Sequence, residues 1–255
     1  MVNKNSSEKS QEPIRINRFL AQCGLGSRRK CDELIRSGRL FVNGEKVVEL
    51  GMRVRPDVDQ VEYMGKALRP IKVLQYWAYF KPREVMVTRH DPQGRTTIYD
   101  ALKRDGLDAD LLKYVGRLDY NSEGLLLLTN DGDMIHALTH PRFKIKKVYL
   151  VRTGRAMNDQ EIARLLSGVE SEGQVLHAAE VKAVQIKEGQ FWYEISLFEG
   201  KNRQIRRMLE TVGHEVRRLR RIQFGTVRLG AMKTGSYREL TPREIGGLMN
   251  AGFKK

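Results

Sequence analysis

The chain has 255 residues, 40% of them hydrophobic, with 46 Lys+Arg against 31 Asp+Glu and a formal net charge of +15. That length suits one good core or a small domain beside a larger one. No apolar run approaches the roughly 20 residues that span a bilayer. The opening MVNKNSSEKSQE has no apolar stretch like that of a secretory signal. A cytoplasmic protein with a disordered tail over residues 1–12 is expected, acting as a monomer away from membranes. Cys23 and Cys31 are the only cysteines. They read as reduced thiols and are too few for a zinc site.

The charge is unevenly placed. Residues 13–55 carry ten Lys/Arg and four Asp/Glu, residues 142–155 six and none, and residues 200–228 nine and two. The remainder is therefore slightly acidic. A solvated basic face accounts for one such stripe; three together point to a polyanion, because each neutralised phosphate releases counterions.

In chain order, Ile16, Phe19, Leu20 and Cys23 recur at helical spacing, predicting an amphipathic helix from Arg15 to Cys23. Gly24-Leu25-Gly26 breaks it. Ser27 is a natural N-cap for a second helix through Ile35, with Gly38 as its stop. Two β-prone runs then flank Asn43-Gly44, a strong hairpin signal. Arg15, Arg18, Arg28, Arg29, Lys30, Arg36 and Arg39 lie on or beside these elements. Arg15-Ile16-Asn17-Arg18-Phe19-Leu20-Ala21, Ser27 to Ile35 and Val42-Asn43-Gly44 together resemble the S4 RNA-binding domain. The resemblance implies an S4 unit with its linker over residues 13–71, gripping structured RNA by shape and phosphate. Its expected contacts are Arg15, Arg18, Arg28, Arg29, Lys30 and Arg36.

After a charged loop from Arg53 to Pro70, residues 72–255 mix strands and helices. Lys72–Phe80 and Lys147–Arg152 read as strands. Leu125–Thr129 is a short apolar strand closed by the turn Asn130-Asp131-Gly132. Thr96-Thr97 caps a helix with Ile98, Ala101 and Leu102, and Asn158 with Glu161 opens one stopped by Gly168. Val181–Ile186 and Phe191–Phe198 pair as a hairpin. Arg203–Val212 is a helix ending at Gly213, and Thr241-Pro242-Arg243-Glu244 opens the last. The fold class is α+β with a mainly antiparallel mixed sheet, since no strict βαβ repeat occurs.

The densest motif runs Gly116-Arg117-Leu118-Asp119-Tyr120-Asn121-Ser122-Glu123-Gly124-Leu125-Leu126-Leu127-Leu128-Thr129-Asn130-Asp131-Gly132. It puts a carboxylate in a glycine-punctuated loop ahead of a buried strand, a common place for catalytic groups. By itself such an Asp is more often a turn or capping residue. The whole string resembles the ribosomal RNA pseudouridine synthases of the RsuA and RluB branch, in which this aspartate is essential. Pro141-Arg142-Phe143 with Lys147-Val148-Tyr149-Leu150-Val151 resembles a second family motif, and Glu199 to Leu209 a third. The resemblance implies Asp119 as catalytic carboxylate, Tyr149 as the surface stacking on the target base, and Arg206 as the cation paired with Asp119. Arg117, Lys147, Lys201, Arg203 and Arg207 are the RNA contacts implied around them. Two departures occur: Lys81-Pro82-Arg83-Glu84 stands where the family usually has Lys-Pro-x-Gly, and Asn121-Ser122 where Asp-Thr is more frequent.

Isomerising uridine consumes no redox equivalent and no phosphate, so neither cofactor nor metal is expected. His136 and His140, four apart, lack the intervening Glu and third ligand of a metal site. The target base must be flipped out and held by stacking, and a nearby guanidinium would keep the carboxylate charged. The likeness of Arg89-His90-Asp91-Pro92-Gln93-Gly94-Arg95 to the large-subunit branch favours large-subunit rRNA as partner. Two rivals remain open: a non-catalytic S4-type RNA-binding or ribosome-assembly protein, and a hydrolase using Asp119 with Asp131 or Asp133.

Overall fold

The computed structural model describes residues 12–71 and 73–252. The expected tail, apart from Glu12, and Lys72 at the head of an expected strand lie outside the described residues. The chain forms two compact units divided between Leu74 and Gln75.

The first unit contains β1 (Ile14–Arg15), α1 (Ile16–Gln22), α2 (Arg28–Arg36), β2 (Leu40–Val42), β3 (Glu45–Lys46), β4 (Arg53–Val54), β5 (Val61–Tyr63) and β6 (Lys66–Ala67). The Ser27 side chain accepts the Lys30 N–H at 3.2 Å, capping α2. Asn43 and Gly44 both take positive φ, 52° and 83°, as a two-residue hairpin of the twisted kind demands. Ile16, Phe19, Leu20, Cys31, Ile35, Leu40 and Val61 share one core. Asn17 staples the helices, donating to Asp32 at 2.8 Å and accepting from Arg28 Nε at 3.3 Å. The segment expected as a loop from Arg53 contains three strands, and β5 lies inside the sheet β3-β2-β5-β6. Runs of two or three residues are too short to show a period of two, so partner strands rather than local pattern define them.

The second unit contains β7 (Tyr76–Lys81), α3 (Ile98–Arg104), β8 (Lys113–Val115), β9 (Glu123–Thr129), α4 (Gly132–Thr139), β10 (Lys147–Thr153), α5 (Asp159–Ser167), β11 (Val169–Ser171), β12 (Gln174–Leu176), β13 (Glu180–Val184), β14 (Phe191–Leu197), α6 (Gln204–Thr211), β15 (Val216–Phe224), β16 (Val227–Arg228), β17 (Tyr237–Glu239) and α7 (Pro242–Gly252). The main sheet runs β13-β14-β10-β15-β9-β7-β17, with β16 on β15 and β8 on β9. Within it β9 and β15 pair parallel, through Arg220↔Glu123 and Arg221↔Gly124, and its other ladders are antiparallel. This is an α+β fold with a mixed, mainly antiparallel sheet. Alternation along β9 sends Leu126 and Leu128 into one core, with Tyr149 and Leu219, and Leu125 and Leu127 into another, with Phe80 and Phe224.

Thr97 and Asn158 head capping boxes on α3 and α5. The expected strand from Lys72 begins at Tyr76. Asp131, expected in a turn, caps α4 by accepting the Asp133 and Met134 N–H groups, each at 3.0 Å. The sequence reading also missed β15, the nine-residue strand between β10 and β9.

Candidate active site

Asp119 lies half-buried in the loop between β8 and β9. The loop closes on itself where the Ser122 N–H donates to the Asp119 carbonyl at 3.0 Å. It is clamped from below by Lys81, the last residue of β7, opposite Gly124 in the β7–β9 register. Lys81 is 0% exposed. Its Nζ donates to the carbonyls of Pro82 at 2.8 Å, Ser122 at 2.8 Å and Tyr120 at 3.5 Å. The Tyr120 carbonyl also accepts the Glu84 N–H at 2.8 Å. Burial pushes the Lys81 ammonium down to about 8, against the pull of Asp119 and Glu123.

Glu84 sits at φ 60°, a left-handed conformation that glycine adopts without cost. The usual family glycine is thus replaced, yet the turn keeps a glycine-like backbone, and that backbone reaches the catalytic loop. Gly124 is forced. Its φ is +107°, and a Cβ there would meet the Arg221 carbonyl at 2.3 Å, because the parallel β9–β15 contact is so close.

One open cavity brings Asp119 and Tyr149 together, with Ser122, Leu118, Leu197, Ile205 and Leu219 also in its lining. Arg117, Lys201 and Arg203 line it too and are exposed. Its lining mixes apolar side chains with polar and charged groups, a combination that can hold a flat base and fix its orientation, and the three cations suit its phosphates. The Ser122 Oγ is buried and, among the described residues, has no hydrogen-bond partner. Sequence reasoning passed over it as a mild replacement; its place three residues after Asp119 in a tight turn was the available signal.

Arg206 is near Asp119, whose charge opposes the lowering of the arginine's pKa by burial and by Arg203. Among the described residues no ion pair joins the two. The guanidinium instead donates to the Asn121 and Val216 carbonyls, each at 3.4 Å, and its Nε is buried without a partner. Arg206 therefore braces the far side of the same loop that Lys81 holds. The segment Arg89–Arg95 also packs here. Arg95 pairs with Asp91 at 2.7 Å and lies over the Tyr120 ring at 5.6 Å. That hydrogen bond holds the Asp91 carboxyl down at about 2.

Two of the expected RNA contacts are engaged within the fold. Arg207 is 7% exposed; it donates to the Ser171 side chain and carbonyl and pairs with Glu172, tying α6 to the β11–β12 hairpin. Lys147 is half-buried, donates to the Ile145 carbonyl at 3.1 Å and lies over Phe224, and burial pushes it down to about 8. Both side chains are spent within the fold. In the first unit, Arg15, Arg28, Arg29, Lys30 and Arg36 are exposed and Arg18 is half-buried. Among the described residues, no group of three or more His, Cys, Asp or Glu could hold a metal ion, and no helix is long and apolar enough to cross a membrane.

A small unit with a basic helical pair, joined to a larger unit whose clamped loop offers a carboxylate to a cavity rimmed by cations, defines the class: an enzyme that acts on RNA. The RNA pseudouridylate synthase family matches residues 75–211 and the S4 domain residues 14–59. An RNA pseudouridine synthase of Aquifex aeolicus, itself uncharacterised, is 38% identical over 93% of this chain and 94% of its own. The ribosomal large subunit pseudouridine synthase B of Bacillus subtilis is 36% identical over 91% and 93%. A crystal structure of a pseudouridylate synthase superposes with a TM-score of 0.65 at 27% identity, covering 92% of this chain and 99% of that one. The chain belongs to the RNA pseudouridine synthase family and carries an S4 domain.

Proposed function

We propose that the protein isomerises a uridine of large-subunit ribosomal RNA to pseudouridine, acting as a cytoplasmic monomer without cofactor or metal. The reaction breaks the N1–C1′ bond, turns the uracil and joins C5 to C1′; the C5 proton leaves and N1 gains one. Asp119 is the group that acts on the sugar, either by attacking C1′ or by drawing off a sugar proton. Tyr149 supports the flipped base and Arg206 braces the loop that aims the carboxylate. Arg117, Lys201 and Arg203 take the phosphates around the target, and the exposed arginines of the S4 unit dock a folded RNA segment. The carrying observation is that Asp119 and Tyr149 line one cavity while Lys81 fixes the carboxylate's loop from beneath. The large-subunit assignment is supported by likeness to the Bacillus subtilis relative.

The test is tritium release from rRNA transcripts labelled at uridine C5. Release without strand cleavage is expected, abolished in Asp119→Asn while RNA binding is retained. Strand cleavage would favour a hydrolase. Tight binding with no release from the wild-type protein would favour a non-catalytic RNA-binding role.

A further inference from the structure

Arg221 is 1% exposed, yet among the described residues no carboxylate contacts it. Its Nε donates to the Leu125 carbonyl at 2.7 Å, its guanidinium lies 5.1 Å from the Phe224 ring, and its Nη2 is buried without a partner. The remaining interaction on the guanidinium is with the Tyr149 side chain, which favours the charged form. The two residues are also direct cross-strand partners in the β10–β15 register, and that register shifts between Val148 and Tyr149. Such irregularities re-aim a side chain and recur beside active sites. Burying a cation without a counter-charge is costly, and an apolar residue of similar volume usually fills such a site as well or better. Packing alone does not explain an arginine here.

We infer that Arg221 is a positioning residue for catalysis: from within the sheet it holds the Tyr149 hydroxyl, and through it sets the ring against which the flipped uracil rests. The inference rests on the proposed function. A phenol oxygen that accepts from a guanidinium keeps its own proton to donate, and its ring can no longer swing about its bond to the backbone. The buried positive charge also sits behind the base, where the uracil carries negative charge once the N1–C1′ bond has broken. Such preorganised charge costs no rearrangement during the reaction. Lys147 cannot replace it, because its ammonium is turned to the Ile145 carbonyl.

A double-mutant cycle of Arg221→Met and Tyr149→Phe tests this, read by single-turnover tritium release from the full-length protein on rRNA transcripts. Arg221→Met should lower kcat about 10- to 100-fold, the range for one lost charge-assisted hydrogen bond, with KM little changed. In the Tyr149→Phe background the same substitution should have almost no further effect. A second arm needs no turnover. With tyrosines carrying ¹³C at the ring carbon bonded to oxygen, the resonance missing in Tyr149→Phe should shift in Arg221→Met. An undiminished Arg221→Met effect in the Phe background, or an unmoved Tyr149 resonance, overturns the inference. If the wild-type protein releases no tritium, the proposed function fails, and the resonance still decides the Arg221–Tyr149 contact. Should Arg221→Met not fold, Arg221→Lys takes its place in the cycle, since it lacks the planar fork.

Discussion

Replacing Lys81 with methionine should separate stability from catalysis. Holding the ammonium from its ordinary 10.5 down to about 8 corresponds to about 3 kcal/mol against the charged form at neutral pH, at ~1.4 kcal/mol per pKa unit. Methionine removes that penalty and fills a similar volume. It also removes the donor to the Pro82, Ser122 and Tyr120 carbonyls, contacts worth roughly 1.5–3 kcal/mol each when charged. The 3.5 Å contact lies at the weak end. The terms oppose each other, so the net stability change at pH 7 should be a modest loss, on the order of 1–2 kcal/mol. The loop, however, loses its clamp on the residues just after Asp119, Tyr120 and Ser122, and a displacement of about 1 Å at the chemistry costs about 100-fold in rate. Tritium release should therefore fall far more than thermal or urea unfolding suggests. Between pH 8 and 10.5 native Lys81 has lost its proton while the unfolded chain still binds one. The unfolded state then holds more protons, so wild-type stability relative to Lys81→Met should rise across that window. A variant with near wild-type kcat, or a stability difference that falls from pH 8 to 10.5, would refute the reasoning.

Glu84→Gly should stabilise the fold by about 0.5–1 kcal/mol, since a left-handed non-glycine residue costs roughly 1–2 kcal/mol and glycine's added unfolded-state entropy returns about 0.5–1. Urea midpoints check it, and a destabilised variant would mean the Glu84 side chain carries a needed contact. The pair Arg28→Ala and Arg29→Ala should weaken RNA binding for all sequences and flatten the log–log salt dependence by about one unit per residue. Filter binding from 50 to 200 mM salt decides, and an unchanged slope removes the S4 face from the footprint. Arg207→Ala should do the reverse, leaving the salt slope alone and lowering the melting temperature, because it breaks the link to Ser171 and Glu172.

How far the sequence was legible depended on the kind of signal each element carries. Caps are local chemistry, so Ser27, Thr97 and Asn158 marked their helices correctly. Glycine and asparagine turns are equally local, and the hairpin at Asn43-Gly44 formed as read. The Asp119 loop was visible because a long motif names it. The supports of that loop were not: Lys81 ends an apolar strand, and nothing in Tyr-Trp-Ala-Tyr-Phe-Lys tells a buried ammonium from an exposed one. Its partners in that loop are backbone carbonyls about 40 residues away, which no pattern in the chain encodes.

The same blindness bears on charge, and it corrects the reasoning that first pointed to RNA. Residues 216–224, Val-Arg-Arg-Leu-Arg-Arg-Ile-Gln-Phe, look like a basic stripe for phosphates, yet they form a central strand. Alternation divides the stripe. Leu219 lines the cavity and Arg221 lies beneath Tyr149, while Arg218 and Arg220 both turn to Glu123, each at 2.7 Å. With Lys81, Lys147 and Arg207 also committed inside the fold, part of the +15 never meets a polyanion. Counterion release counts only cations that reach phosphates. The salt slope of RNA binding should thus fall well short of one set by every lysine and arginine in the three stripes, and the missing charge is the part that builds the site.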